Sequence, residues 1–158
     1  MDEEIKIIKI EDICKIKFIK MNDLAKTPTH GSEYAAGYDL YAATSYDIEV
    51  PPHETVKIGT GLKIAIPRGV FGAIYARSGL ATKQGLRPAN CVGVIDSDYR
   101  GEIIVALHND TEENQIVPAG SRIAQFIATP YWNFPWVEVD ELDETERGEG
   151  GFGSSGIK

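Results

Sequence analysis

The chain has 158 residues, 42% of them hydrophobic, which is enough to bury one ordinary core and gives no sign of a second domain. Its formal net charge of -8 at pH 7 argues against a nucleic-acid polymer as partner, because such binding depends on neutralising phosphates with Lys and Arg. No apolar run approaches the ~18 residues of a membrane span, so we expect no membrane partner. The acidic start is unlike a signal peptide, and Cys14 and Cys91 show no zinc-ligand spacing. We interpret both as buried free thiols of a cytoplasmic protein.

Short strand patterns separated by Pro and Gly dominate the first half of the chain. Residues 1–14 are interpreted as an N-terminal extension, and the Lys/apolar alternation that follows them predicts a first strand. Further β-rich runs cover residues 46–50, 55–58, 62–66 and 70–75. Many short strands without a long amphipathic helix predict an all-β fold, either a sandwich or a barrel.

Asp39 is a single carboxylate within an apolar and aromatic run, residues 35–43. A carboxylate buried in a strand needs a partner, which is either a hydrogen-bonding cation or a metal-bound water. Pairing with a cation is the commoner arrangement, and the sequence leaves both open.

Residues 76–81 interrupt the strand pattern. Ser78 stands where an N-cap would begin a short helix that ends near Lys83. With Arg77 and Gly79 beside it, the helix start could bind an anion, although a plain cap explains the same residues.

Residues 89–107 contain two apolar runs joined by a polar corner, residues 96–101. This pattern predicts a β-hairpin that presents Asp96 and Tyr99. A carboxylate at the end of an apolar run can orient or deprotonate a water, and the aromatic side chain could form one wall of a sugar or base pocket. The alternative is that these residues only form a turn.

The remainder of the chain is predicted to alternate turns with one strand. Residues 109–114 and 116–120 are interpreted as turns, 121–128 as a strand, 130–135 as a packed connection and 138–146 as a solvated acidic linker. The glycines of the tail match a dinucleotide-binding pattern, but too few residues remain for the helix that such a site requires. The tail, residues 147–158, is either a disordered end or a flexible arm that closes on a phosphate-bearing ligand.

Five segments in this order resemble the five motifs of the homotrimeric dUTPase family: residues 36–40, 76–81, 93–101, 120–125 and 147–156. The resemblance covers residues 15–158. It implies a jelly-roll-like β-domain over residues 15–146 and a Gly-rich arm over 147–158 that is exchanged within a trimer, so that active sites are shared between subunits. Two positions depart from the family pattern, since Ala76 stands where Pro is common and Ser121 where Asp is common.

The resemblance implies hydrolysis of dUTP to dUMP and pyrophosphate with Mg2+ as cofactor, which limits uracil incorporation into DNA and supplies dUMP for thymidylate synthesis. Asp96 would activate the water that attacks the α-phosphate, and Asp39 would hold Mg2+ through water. Tyr99 would pack under the deoxyribose and exclude a 2'-hydroxyl. The other implied substrate-binding residues are Arg77, Ser78, Gly79 and Gln125 at the phosphates, Asn90, Gly93 and Ile104 at the uracil, and Arg147, Phe152, Gly153, Ser154 and Ser155 in the arm.

Two other protein classes share parts of this pattern. A dCTP deaminase has a similar fold and phosphate site, but it usually carries Asp-Pro-Gly and an aromatic residue where this chain has Asp96, Ser97, Asp98 and Tyr99. A non-catalytic regulatory β-protein is the second alternative, and the complete set of motifs argues against it.

Overall fold

The computed structural model describes residues 15–151, which contain eleven β-strands and one short helix. The prediction of an all-β fold is confirmed. In chain order the elements are β1 Lys17–Lys20, β2 Thr29–His30, β3 Tyr38–Tyr41, β4 Ile48–Val50, β5 Thr55–Ala65, β6 Val70–Tyr75, α1 Ser78–Gln84, β7 Leu86–Pro88, β8 Gly93–Ile95, β9 Glu102–Asn109, β10 Gln115–Val117 and β11 Arg122–Pro130.

The strands form open, antiparallel sheets around one core. A four-stranded sheet has the order β1-β5-β9-β7, a five-stranded sheet has the order β2-β3-β11-β6-β8, and β10 pairs with β4. One cluster of buried apolar side chains draws from all three sheets, including Ile58 and Leu107 from the first, Ile74 and Phe126 from the second, and Val50 from the third. The described part of the chain is therefore a sandwich and not a closed barrel.

Strand β5 combines two runs that the sequence presents as separate strands. Its pairing with β9 shifts in register between Gly59 and Lys63. Thr60 Oγ1 donates a hydrogen bond to the carbonyl of Ile103 (2.7 Å), and Gly61 N donates to Glu102 Oε1 (2.8 Å). Since side chains satisfy the backbone at this irregularity, the Gly-Thr-Gly sequence makes a bulge within one strand and not a turn between two.

The hairpin predicted over residues 89–107 is wrong. Strand β8 pairs with β6, whereas β9 pairs with β5 and β7. The polar corner therefore crosses from the five-stranded sheet to the four-stranded sheet. Turn residues predict where a chain reverses but not which strand it then joins, and the eight residues of β9 find a longer partner in β5 than in β8.

Strands β7 and β10 were not predicted, and residues 116–120 were interpreted as a turn. Asn109, at the end of β9, is fully buried and fastens the turn that leads to β10. Its Nδ2 donates to the carbonyls of Val50 (2.8 Å) and Glu113 (2.7 Å), and its Oδ1 accepts from Thr111 N (2.9 Å). The buried Asn109 amide thus connects β4, β9 and the turn. Its hydrogen bonds satisfy backbone groups that have no partner in the pairing of these short strands.

The chain after β11 carries exposed apolar side chains, which corrects the prediction of a packed connection over residues 130–135. Trp132 is 86% exposed, Phe134 71% and Trp136 101%. Among residues 15–151, Tyr131 packs against Phe71, and the rest of this exposed aromatic segment, residues 131–137, is left uncovered. The acidic residues 138–146 are exposed, as the sequence predicts. The helix found in residues 15–151 has seven residues, far fewer than a membrane crossing requires.

Candidate active site

Three sequence motifs meet at Asp39. In the five-stranded sheet, Gln125 of β11 lies opposite Asp39 of β3 on one side and opposite Tyr75 of β6 on the other. Arg77 follows two residues after Tyr75. Asp39 Oδ1 accepts a hydrogen bond from Arg77 Nε (2.8 Å), and Oδ2 accepts from Arg122 Nη1 (3.2 Å). Of the two partners that the sequence allows for Asp39, the structure therefore shows the cationic one.

Gln125 is tied to the strand that leads to Arg77. Its Nε2 donates a hydrogen bond to the carbonyl of Ala76 (2.9 Å). A Cβ added at Gly37 would lie 2.9 Å from Gln125 Oε1, so glycine at this position allows the amide to sit against the backbone of the neighbouring strand. Gln125 thus fixes the position from which the Arg77 side chain starts.

Helix α1 begins differently from the prediction. Arg77 is its N-cap residue, with extended backbone angles (φ −82°, ψ 128°), and Ser78 is the first helical residue. The predicted Ser78 cap is wrong, and no side chain caps the helix. The Ser78 carbonyl accepts from Thr82 Oγ1 (2.7 Å), and open space surrounds the Cα of Gly79. Arg77, Ser78 and Gly79 therefore form an accessible surface that a ligand can approach.

The corner, residues 96–101, is held by its own hydrogen bonds. Arg100 Nη1 donates to the carbonyls of Ser97 and Tyr99, each at 2.8 Å. Tyr99 Oη donates to the carbonyl of Glu102 (3.0 Å). Asp96 is exposed, and across residues 15–151 its carboxylate takes part in no hydrogen bond or ion pair. The corner therefore presents a free carboxylate from a fixed backbone.

Strand β6 separates Asp96 from Arg77. Gly72 pairs with Ile95, so Asp96 lies beside the start of β6, while Arg77 follows its end. The five residue steps from Phe71 to Ala76 span roughly 17 Å at ~3.4 Å per residue. One chain therefore places the two predicted groups at opposite ends of a strand.

Of the predicted uracil-reading groups, Ile104 lies in β9 and Asn90 in a loop beside it, whereas Gly93 lies in β8. Ala89 N donates to the carbonyl of Ala106 (2.8 Å), which brings the Asn90 loop within two residues of Ile104. Gly93 is buried against Ile74. In this loop Cys91 is exposed with a left-handed φ of 61°, which corrects its prediction as a buried thiol. The loop turns tightly outward, so the apolar character of its neighbours does not bury the thiol.

The tail residues can be placed only in part. Arg147 Nε donates to the carbonyl of Gly150 (2.8 Å) in an exposed turn. Phe152, Gly153, Ser154 and Ser155 lie outside the described residues, as does Cys14, so their predicted roles stay predictions.

The described residues do not form a ligand set for Mg2+. Mg2+ requires near-octahedral oxygen ligands, and residues 15–151 contain no group of three or more side chains that could hold a metal ion. Each oxygen of Asp39 already accepts from a guanidinium. Direct coordination by Asp39 therefore does not fit this arrangement.

Arg122 is a site residue that sequence reasoning missed. The chain has 16 Lys and Arg residues, and a buried carboxylate indicates only that one of them is near. The register of β11 against β3 selects Arg122, which pairs with Tyr41 two positions from Asp39. The available signal was an alternating strand pattern that begins with an arginine.

A second ion pair lies at the far end of the four-stranded sheet. Arg87 donates from Nε to Asp110 Oδ2 (2.6 Å) and from Nη2 to Oδ1 (2.9 Å). These hydrogen bonds hold the pKa of the Asp110 carboxyl below its ordinary value of 3.8 and raise the pKa of Arg87. The pair fastens β7 to the turn after β9.

Comparisons with known proteins agree with the motifs. A family model described as dUTPase matches residues 23–156. A relative from Desulfitobacterium hafniense, named Deoxyuridine 5'-triphosphate nucleotidohydrolase, is 47% identical over 144 residues, covering 90% of this chain and 95% of the relative. A protein of the same name from Candida albicans is 43% identical over 157 residues, covering 98% and 96%. The dUTPase of Staphylococcus bacteriophage 80alpha, solved with dUPNHPP, superposes with a TM-score of 0.79 at 27% identity, covering 91% of this chain and 99% of that one. The chain therefore belongs to the dUTPase family.

Proposed function

We propose that this chain hydrolyses dUTP to dUMP and pyrophosphate in active sites shared between the subunits of a homotrimer. Its relatives are named for this activity, and the phage structure holds a deoxyuridine nucleotide analogue. The observation that carries the shared site is the length of β6, which puts roughly 17 Å of strand between Asp96 and Arg77 in one chain. Asp96 of one subunit and Arg77 of another then act on the same triphosphate.

Asp96 acts as the general base in this proposal. Its free carboxylate takes a proton from a water, and the water oxygen forms a bond to the α-phosphorus. The bond from that phosphorus to the oxygen bridging the α- and β-phosphates breaks, and pyrophosphate leaves. The fixed backbone of the corner supports this role, because a base must be held within hydrogen-bond reach of its water.

Arg77 is the principal phosphate ligand. Asp39 holds its Nε, while its two terminal nitrogens have no partner among the described residues. A guanidinium fixed at one edge presents the other edge for bidentate contact with phosphate oxygens. This subsite is completed by Ser78 and Gly79, which are accessible to the phosphates. Gln125 contributes to it from a position that its hydrogen bond to the Ala76 carbonyl fixes.

Mg2+ enters as part of the substrate. Triphosphate oxygens and waters would supply its ligands, since Mg2+ keeps several waters and commonly binds through substrate phosphates. Asp39 would hold the ion through water, because both of its carboxylate oxygens are engaged by Arg77 and Arg122.

The nucleoside lies against the corner. Tyr99 packs under the deoxyribose, and main-chain groups of Asn90, Gly93 and Ile104 read the uracil. The arm, residues 147–158, closes over the phosphates with Phe152 as its aromatic contact, assisted by Arg147, Gly153, Ser154 and Ser155.

Other copies of the chain cover the exposed aromatic segment. Large contiguous apolar patches on a protein surface usually mark an interface, and Trp132, Phe134 and Trp136 are all exposed in one chain. The family resemblance implies that this assembly is a trimer. It also implies that the trimer works in the cytoplasm, where it limits dUTP and supplies dUMP.

The activity is tested by incubating the purified chain with dUTP, dCTP or UTP in Mg2+ and H2(18)O. We expect dUTP alone to be consumed efficiently, with the label in dUMP and none in pyrophosphate, because water attacks the α-phosphorus. Ammonia released from dCTP would instead identify a deaminase. Asp96→Asn should lower kcat by at least ~100-fold. Asp98→Asn, in the same corner, is the matched control and should stay within a few-fold of the parent chain.

A further inference from the structure

Gly101 lies directly against the ring of Tyr99. A Cβ added at Gly101 would lie 2.2 Å from Tyr99 Oη, 2.5 Å from Cζ and 2.9 Å from Cε2. Contacts this short cannot form without movement, so any side chain at this position displaces the tyrosine ring. The tyrosine therefore occupies the volume that the missing side chain leaves.

The ring cannot yield without losing a contact. Tyr99 Oη donates to the carbonyl of Glu102 at 3.0 Å, and Arg100 holds the Tyr99 carbonyl at 2.8 Å. The ring is thus fixed at its tip and at its backbone, with the Gly101 Cα beneath it. A side chain at Gly101 must break the bond to Glu102 or push the ring into the space beside the corner.

The backbone at Gly101 does not itself require glycine. Its φ is not among the positive values found in the structure, so alanine can adopt the same conformation without strain. The close approach of the Tyr99 ring is then the physical reason for glycine here, and the effect of a substitution passes through that ring.

We propose that Gly101 is a positioning residue that sets sugar selectivity by seating Tyr99 at a fixed depth under the nucleoside sugar. This inference rests on the proposed function, in which Tyr99 excludes a 2'-hydroxyl. Steric rejection of one hydroxyl depends on the position of the rejecting atoms to within fractions of an ångström, and a displaced ring leaves room for the ribose. In this proposal Gly101 acts only through the Tyr99 ring.

The test compares kcat/KM for dUTP and UTP in Gly101→Ala. We expect the dUTP/UTP ratio to fall by about tenfold or more, a substantial part of the ~100-fold that a pocket achieves against one added hydroxyl. Gly31→Ala is the matched control, because open space surrounds Gly31 and its φ is not positive. An unchanged ratio in Gly101→Ala would overturn the proposal.

A double-mutant cycle separates this inference from the proposed function. In a Tyr99→Ala background, adding Gly101→Ala should change the ratio less than about twofold, because the ring it displaces is gone. Equal effects in both backgrounds overturn the inference. If Tyr99→Ala alone leaves the ratio unchanged, the sugar role of Tyr99 fails, and with it the premise.

Melting temperatures keep the test decisive if Gly101→Ala folds poorly. The clash predicts that Gly101→Ala lowers the melting temperature of the parent chain but not that of the Tyr99→Ala variant. If Gly101→Ala lowers the melting temperature equally in both backgrounds, glycine is needed for the backbone itself. The proposal that Gly101 acts through Tyr99 is then refuted.

Discussion

Subunit mixing tests quantitatively whether Asp96 and Arg77, which lie at opposite ends of β6, act in sites shared between chains. Asp96→Asn removes the proposed base, and Arg77→Gln removes the proposed phosphate ligand while Arg122 still pairs with Asp39. Both variants should fold and be nearly inactive alone. Because roughly 17 Å of strand lies between the two positions, we expect a working site to take each group from a different chain. Unfolding the two variants together and refolding them should therefore restore turnover.

The expected recovery follows from counting. With equal, random mixing, each of the two required chains carries the intact group with a chance of about one half, so about a quarter of sites are active. A reference mixture of the parent chain and a variant carrying both substitutions separates the possibilities. Shared sites give about a quarter there too, whereas sites within one chain give about a half. Turnover is measured by pyrophosphate release, and native mass spectrometry confirms the mixed oligomers. No recovery from the two single variants, together with one half in the reference, would falsify the shared site.

Three further outcomes follow from named contacts. Asn109→Ala leaves buried carbonyls unpaired and should lower the free energy of unfolding in urea by about 2–4 kcal/mol; the same change at exposed Asn114 is the control and should cost little. Because Arg87 lowers the pKa of Asp110, the ion pair stabilises the fold fully above pH 3.8 and progressively less as pH falls through the lowered pKa. The melting temperature of Asp110→Asn should therefore lie below that of the parent chain at neutral pH and approach it in acid, and a constant difference contradicts this reasoning. Deleting residues 147–158 should preserve the melting temperature but nearly abolish dUTP turnover, and a fully active truncated chain would remove the arm from the mechanism.

The sequence predicted most of what depends on local chemistry. Alternating apolar residues located strands such as β6 and β11, and the turn residues of the corner located the reversal that presents Asp96. Local patterns cannot report register between distant strands, which is why the partner of β8 was predicted incorrectly. The merging of two runs into β5 had the same origin. The Gly-Thr-Gly sequence looks like a turn until the fold brings Ile103 to accept from Thr60 and Glu102 to accept from Gly61.

In the candidate site, too, the sequence predicted local chemistry but not the pairing of distant strands. The sequence indicated that Asp39 needs a partner, but pairing of three strands decided that Arg77 and Arg122 supply it. The family resemblance implied that Asp96 and Arg77 belong to one site, yet no property of their order along the chain indicated the distance that β6 places between them. The family resemblance supplied a shared site as an expectation, and the register of β6 with β8 gives that expectation a physical basis.

In the proposed shared site, the length of β6 also makes catalysis depend on the association of chains. We expect a single folded chain to be inactive toward dUTP, because the six-residue strand β6 holds the proposed base and the proposed phosphate ligand apart. Specific activity should then depend on protein concentration, with a lag after release from denaturant that shortens as the concentration rises. Turnover in a dilute sample therefore measures the fraction of chains that have associated and not only the fraction that have folded.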